Sequence, residues 1–237
     1  MHSLFPMPGA RWRWLATTLA AVTILCGCAS SVGSSNGILA KTPAQIVAAA
    51  KSAAAGAATV HVAGSILGDG TPISVEMELV SDKGGQGRIT LEGFDIQLVT
   101  VDNAVYINSG EGFYARFAGA AGARRLRGRW LKGSARGEAL GPLDLLTNLG
   151  ELIGGALRAH GPLSRGTPAT VDGQRAVAVT DLDRGGTLYV ASTGVPYPLE
   201  IVKPGPGGGE LVFDRWNQPV SLEPPANAIN IKQLQGR

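Results

Sequence analysis

The residues whose types and spacing carry an evident chemistry are Leu25-Cys26-Gly27-Cys28. A leucine three places before a cysteine, with small residues directly ahead of it, is the pattern of a bacterial lipobox. There the cysteine sulfur takes a diacylglyceryl group through a thioether, and cleavage then makes that cysteine the N-terminus. The flank agrees. Arg11 and Arg13 form a positive n-region, and Trp14 to Leu25 is an uncharged apolar run of about a dozen residues, the length of a signal h-region. A membrane-spanning helix needs roughly 20. We read residues 1–27 as a lipoprotein signal peptide and Cys28 as a lipid anchor. The rest then lies outside the cytoplasm, tethered to the outer face of the plasma membrane in the cell envelope. The alternatives are an ordinary secretory signal cut nearby and an uncleaved anchor.

Beyond that cysteine the chain offers little reactivity. Cys26 and Cys28 are its two cysteines, so once the signal is removed and the anchor acylated no thiol is left for a disulfide, a zinc site or a nucleophile. His61 falls on the polar side of a strand pattern with Thr59 and Ser65. His160 falls at the end of a helix pattern, where a cation suits the dipole. Glu76 and Glu78 share a strand face, a spacing that fits a carboxylate pair and fits two solvated side chains better. Asp181 and Asp183, in TDLDRGG, lack the oxygen ligands of a full calcium loop and read as a turn. No glycine-rich phosphate loop or HExxH occurs. The expectation is a protein that is not an enzyme, with no catalytic residue, no metal and no cofactor. A hydrolase would lack a nucleophile beside its base.

The formal charge of +3 and pI near 9.0 are not a nucleic-acid footprint, because Arg11 and Arg13 leave with the signal. One basic run remains: Arg124, Arg125, Arg127, Arg129, Lys132 and Arg136. It is either a solvated loop or a surface for anionic headgroups, near which each cation contributes about 1 kcal/mol. Arg124, Arg125 and Arg127 are the candidates for headgroup or membrane contact.

The elements that must position these groups follow from period and punctuation. Residues 28–41, the lipidated N-terminus followed by small uncharged residues, read as a flexible tether with a span of roughly 20 Å. Thr42-Pro43-Ala44-Gln45 is a capping box with proline at the first helical position, predicting a helix over 43–55. From residue 59 the period becomes two, through Val60, Val62 and Ile66, then Ile73, Val75, Met77 and Leu79, then Ile89 and Leu91, then Phe94, Ile96 and Leu98, then residues 105–107 and the aromatic run 113–117. Residues 119–137 read as a long loop. Leucines at spacings of three and four over 140–160, Leu143, Leu146, Leu149, Leu152, Ile153 and Leu157, predict an amphipathic helix or helix pair. Five short strands are predicted over 169–171, 175–180, 187–191, 199–203 and 210–213. The class is α+β: one domain over 42–235, with helices gathered on one side of an antiparallel sheet of nine or ten strands.

Such a sheet tends to curl, and its apolar face is either filled by the helices or left open as a hollow. Aromatics make up only 5% of the chain, so either surface is built from Val, Leu, Ile and Ala. The candidate ligand-binding wall is Val75, Met77, Leu79, Ile89, Leu91, Phe94, Ile96 and Leu98, with Leu146, Leu149 and Ile153 opposite.

The lipobox, the helix KTPAQIVAAAK, the strand-rich half, the Leu-rich middle and the ending FDRWNQPVSLEPP with ANAINI resemble the actinobacterial, mycobacterial-type lipoproteins of the LppX, LprA, LprF and LprG group. The resemblance spans most of the chain after the signal. It implies a half-barrel, a curved antiparallel sheet with helices on its concave side. It also implies an apolar cavity that carries acylated envelope lipids or lipoglycans between plasma membrane and outer envelope, without catalytic machinery. A monomer is expected, with a membrane lipid exporter as candidate partner. The alternative is a closed structural or interaction lipoprotein of the envelope with no lipid ligand.

Overall fold

Thr42 and Gln45 close the capping box reciprocally in the computed structural model. The Gln45 N–H donates to Thr42 Oγ1 at 3.3 Å, and the Thr42 N–H donates to Gln45 Oε1 at 3.0 Å. Helix α1, Pro43–Ala55, follows at once and buries Ile46, Val47, Ala50 and Ala54, an i, i+4, i+8 stripe. Thr42→Ala removes one acceptor from the first turn. It is expected to lower stability by about 1 kcal/mol, read as a shifted urea midpoint with an unchanged slope. An unmoved midpoint would mean that the cap contributes nothing.

The structure describes residues 34–68, 70–136, 148–158, 161–205 and 207–235. Five strands form a meander: β1 Thr59–Gly68, β2 Thr71–Val80, β3 Gly84–Leu91, β4 Phe94–Val101 and β5 Ala104–Ser109. Helix α2, Glu111–Leu126, strand β6, Leu131–Ser134, and helix α3, Leu149–Ala156, make the middle. Strands β7 Leu163–Val171, β8 Gln174–Asp181, β9 Thr187–Ala191, β10 Pro198–Lys203 and β11 Gly209–Asp214 follow, then β12 Ile229–Asn230 and the short helix α4, Lys232–Gln235. All twelve strands share one sheet in the order β12-β6-β5-β4-β3-β2-β1-β11-β10-β9-β8-β7. The two strand blocks join where β1 pairs with β11, and every pairing is antiparallel except β12 on β6. β12 and β7 do not meet, so the sheet is open, and it is curled.

Two glycines show how the curl is accommodated. Register places Phe213, Val62, Met77, Gly87, Leu98, Ile107 and Leu131 in one row across the inner face. A Cβ at Gly87, whose φ is 158°, would strike the Glu76 carbonyl oxygen and Met77, and one at Gly64, with φ 150°, would strike the Glu210 carbonyl oxygen. Only glycine lets neighbouring strands approach so closely, which is its usual meaning at a barrel corner. The inner face and helices α1, α2 and α3 form one core that includes Val62, Leu79, Leu98, Val177, Val190 and Phe213. Helix α2 is kinked at Gly119 and docks through Tyr114. The Tyr114 hydroxyl accepts the Ser109 N–H at 3.2 Å and lies 3.3 Å from the Arg129 carbonyl oxygen. Burial pushes the Tyr114 phenol above its ordinary pKa, against the pull of the Ser109 N–H.

Three expectations are corrected. The aromatic run 113–117 is helix rather than strand, because α2 starts at Glu111 and turns Tyr114 into the core, with Phe113 edge-on to Phe94 at 5.9 Å. Residues 119–137 are not one long loop: they hold the second half of α2 and then β6, with residue 137 itself outside the described residues. The tether expected over 28–41 is fastened to the fold from Ser35 onward. Ser35 bridges Thr193, Asn36 Nδ2 donates to the Ala191 carbonyl at 2.9 Å, Ile38 is buried, and the Arg165 guanidinium donates to the carbonyls of Leu39 and Lys41. From Ser35 onward the segment is held by hydrogen bonds at a strand end, with Ile38 as its buried residue. Of the predicted helical stretch 140–160, the described part is α3, capped by the Asn148 side chain on the Glu151 N–H.

The ending FDRWNQ is a splice. Phe213 enters the core, Asp214 meets His61, Arg215 reaches Glu78, and Trp216 stacks on Tyr197 with centroids 4.4 Å apart. Asn217 Oδ1 accepts the Ala58 N–H at 2.6 Å, and the Asn217 N–H donates to the Thr59 carbonyl. Phe213, Asp214, Arg215 and Asn217 thereby tie β11 and the chain after it to β2 or to the start of β1, which is where the two strand blocks must be held together.

Candidate ligand-binding site

The expected wall is in one place, and it is packed. Val75, Met77, Leu79, Ile89, Ile96 and Leu98 are buried on the inner face together with Leu149 and Ile153 of α3. Leu91 and Phe94 are half-buried at the same face. The same core cluster holds Tyr114 and Leu126 of α2 and Ile46 and Ala50 of α1. Leu146 and Cys28 lie outside the described residues, as does His160.

The hollow lies in the other half of the sheet. Leu211, Ile201, Leu188 and Val179 stand side by side in register on β11, β10, β9 and β8, forming an apolar floor. Ile66 and Leu67 at the end of β1 and Leu163 of β7 continue it, and Val47 of α1 and Leu157 after α3 cover it. The volume of the hollow is about 340 Å³, at the lower end of the roughly 300–1,000 Å³ of ligand pockets. The sequence reason for the space is on α3. Its last turn carries Gly154-Gly155-Ala156, and a Cβ placed on Gly154 or Gly155 would meet nothing within 4 Å. Leu149 and Ile153 of α3 are core residues, whereas Gly155 and Ala156 present almost no side chain to the hollow before Leu157 covers it.

The rim is charged. Arg158 directly after α3, Arg184 in the β8–β9 turn and Lys203 at the end of β10 line the hollow together with Asp181. Asp181 Oδ1 accepts the backbone N–H groups of Asp183 and Arg184 at 3.0 and 3.2 Å, so this carboxylate shapes the turn, as the pattern TDLDRGG predicts. The Gly207 and Gly208 backbone of the β10–β11 loop completes the edge.

The outer face carries the remaining polar candidates. His61, Glu76, Glu78, Gln86, Arg88, Gln97, Trp130 and Arg215 line a polar groove of about 550 Å³. His61 Nδ1 lies 2.6 Å from Asp214 Oδ1, and His61 Nε2 is buried with no hydrogen-bond partner among the described residues. Glu78 accepts from Gln86 and Arg215, and Glu76 sits opposite Arg88. A histidine held by a carboxylate is the base half of a nucleophilic triad, but the groove lining contains no hydroxyl or thiol side chain. The basic run is dispersed: Arg124 and Arg125 are exposed in the last turn of α2, Arg127 lies 3.9 Å from Glu111, and Lys132 lies over the Tyr106 ring at 5.3 Å.

An open, curled antiparallel sheet with helices on its inner face and an apolar hollow at one end defines a class of α+β half-barrel. Within that class the chain is similar to the structure of LprF from Mycobacterium bovis, with a TM-score of 0.56 at 16% identity over 78% of this chain and 97% of that one. It is also similar to that of the Mycobacterium tuberculosis lipoprotein LppX, with a TM-score of 0.51 at 18% identity over 77% of this chain and all of the other. The fold and the sequence resemblance thus point to the same group. No family model and no curated protein sequence matches the chain. Among the described residues, no helix is long and apolar enough to cross a membrane.

Proposed function

We propose that this protein is an envelope lipoprotein, anchored to the outer face of the plasma membrane through diacylglyceryl-Cys28. In this reading it carries acylated lipids or lipoglycans between that membrane and the outer envelope by sheltering acyl chain in the hollow. The observation that carries this reading is the hollow itself, an apolar floor of four strands left only partly covered where α3 ends in Gly155 and Ala156. Burial supplies affinity at about 0.8 kcal/mol per CH₂, and non-covalent carriage needs no reacting residue, metal or cofactor. The protein acts as a monomer, and a membrane lipid exporter is the partner this role calls for.

The anchor and the mouth are compatible. From Cys28 to Ser35 the chain reaches at most about 25 Å. Ser35 joins the fold beside Thr193, beyond the Ala191 end of β9, whereas the rim lies at the Thr187 end. At 3.2–3.4 Å per residue β9 is only about 17 Å long, so a tethered domain can still turn its mouth to the bilayer.

Native mass spectrometry of the protein purified from an actinobacterial host is expected to show co-purified lipid that is lost in Gly155→Trp, which fills the hollow from α3. A clean protein mass with the fold intact would favour the alternative, a closed lipoprotein that acts through its surface. That alternative draws support from the packed first strand block. Arg124, Arg125 and Arg127 are assigned to headgroup contact on the bilayer. Replacing all three with Gln is expected to weaken binding to anionic vesicles at low salt by up to about 3 kcal/mol, and unchanged binding would remove them from that role.

A further inference from the structure

We propose that the hollow is a site for a single-chain amphiphile with an anionic head, the head being held by Arg158, Arg184 and Lys203. This rests on the reading of the hollow as an acyl-chain site and narrows its ligand class. The charges come from three separate elements: the residue after α3, the β8–β9 turn and the end of β10. They are brought together only by the fold, at the edge of a surface that is otherwise apolar. None of the three has an acidic partner within ion-pair distance among the described residues. Asp181, the carboxylate that lines the hollow with them, has Oδ1 bonded to two backbone N–H groups of its own turn. The rim therefore presents an excess of positive charge directly above an apolar floor, which is complementary to an anion carrying one hydrocarbon tail. Cations that close a pocket also meet the head at the moment the tail is desolvated, when charge-assisted hydrogen bonds are strongest.

The size selects one chain. A volume of about 340 Å³ sits at the small end of ligand pockets, and among the described residues the inner face of the first strand block belongs to the packed core. The shared chemistry is a monoacyl anion, and its head is either the carboxylate of a free fatty acid or the phosphodiester of a lysophospholipid.

The test measures binding of four probes to the purified protein, each below its micelle concentration: oleate, oleoyl-lysophosphatidylglycerol, monoolein and oleoyl-lysophosphatidylcholine. The expected result is that at least one of the two anions binds about tenfold or more tightly than neutral monoolein. Preference for oleate identifies the carboxylate source, and preference for lysophosphatidylglycerol the phosphodiester. The triple variant Arg158→Gln, Arg184→Gln, Lys203→Gln changes side chains that are exposed or half-buried at the rim. It is expected to lower the anion affinity about tenfold and leave monoolein unchanged. Equal binding of monoolein and both anions, or anion binding unmoved by the triple variant, would overturn the head-group site and leave the acyl-chain hollow standing. Failure of all four probes, or binding that survives Gly155→Trp, would count against the hollow itself and so against both readings.

Discussion

Cys28→Ser is expected to abolish incorporation of a labelled fatty acid and, because cleavage follows acylation, to leave a precursor that carries no diacylglyceryl mass and still bears residues 1–27. The argument is chemical before it is structural. Thioether formation needs a sulfur nucleophile, and a thiol near pKa 8.5 offers a thiolate fraction that a serine hydroxyl does not. Each buried methylene contributes about 0.8 kcal/mol to membrane residence, and one acyl chain is marginal while two hold stably. The effect is therefore all-or-none. Fatty-acid labelling and intact-mass analysis of the wild-type and variant chains measure it. A wild-type chain that starts elsewhere than Cys28, or that carries no acyl mass, would refute the anchor.

Phe213→Ala is expected to lower stability by about 3–5 kcal/mol. Phe213 is 1% exposed and stands on β11 beside Val62 of β1, at the one pairing that joins the two strand blocks. Its ring lies 6.4 Å from that of Trp216. Truncation loses the transfer energy of the ring and leaves a cavity at the seam that the curled sheet cannot close. Equilibrium urea unfolding measures it. Leu182→Ala serves as the control, because Leu182 is 61% exposed and surface changes of that kind stay within about 0.5 kcal/mol. A Phe213→Ala cost below about 1 kcal/mol would overturn the account of the seam.

Legibility in the sequence differs between elements for physical reasons. Helix α1 is readable to its ends, because Thr42, Pro43 and Gln45 act on backbone groups within one turn and Gly56 follows it. Most strands are readable because alternation is a local record of which side meets the core, but β6, whose burial also alternates, is too short at four residues to stand out. The aromatic run 113–117 misleads because period two and the start of a helix cannot be told apart when the apolar residues are adjacent and the following turns are exposed. The segment 35–41 misleads because its order comes from partners such as Thr193 and Arg165, more than a hundred residues away in the chain. The family-like ending is visible as a string, but its role as a splice emerges only with Asn217 beside Ala58 and Asp214 beside His61.

The site divides in the same way. Short stretches of chain suffice for the lipobox pattern at Cys28, the lack of any thiol beyond Cys26 and Cys28, the α+β class and the identity of the inward-facing residues, since each depends on composition or on periodicity. Which inward faces are filled is a matter of packing between distant elements. Val75 to Leu98 and Leu188, Ile201 and Leu211 carry the same pattern. Yet the former set lies in the packed core, while beside the latter Gly155 and Ala156 leave a hollow that Val47 and Leu157 cover only in part. A hollow is a difference between the volume that a fold encloses and the volume that its side chains supply. The enclosed volume is set by strand register, by sheet curl at glycines such as Gly64 and Gly87, and by where a helix ends, and these are relations between distant residues that no local pattern records.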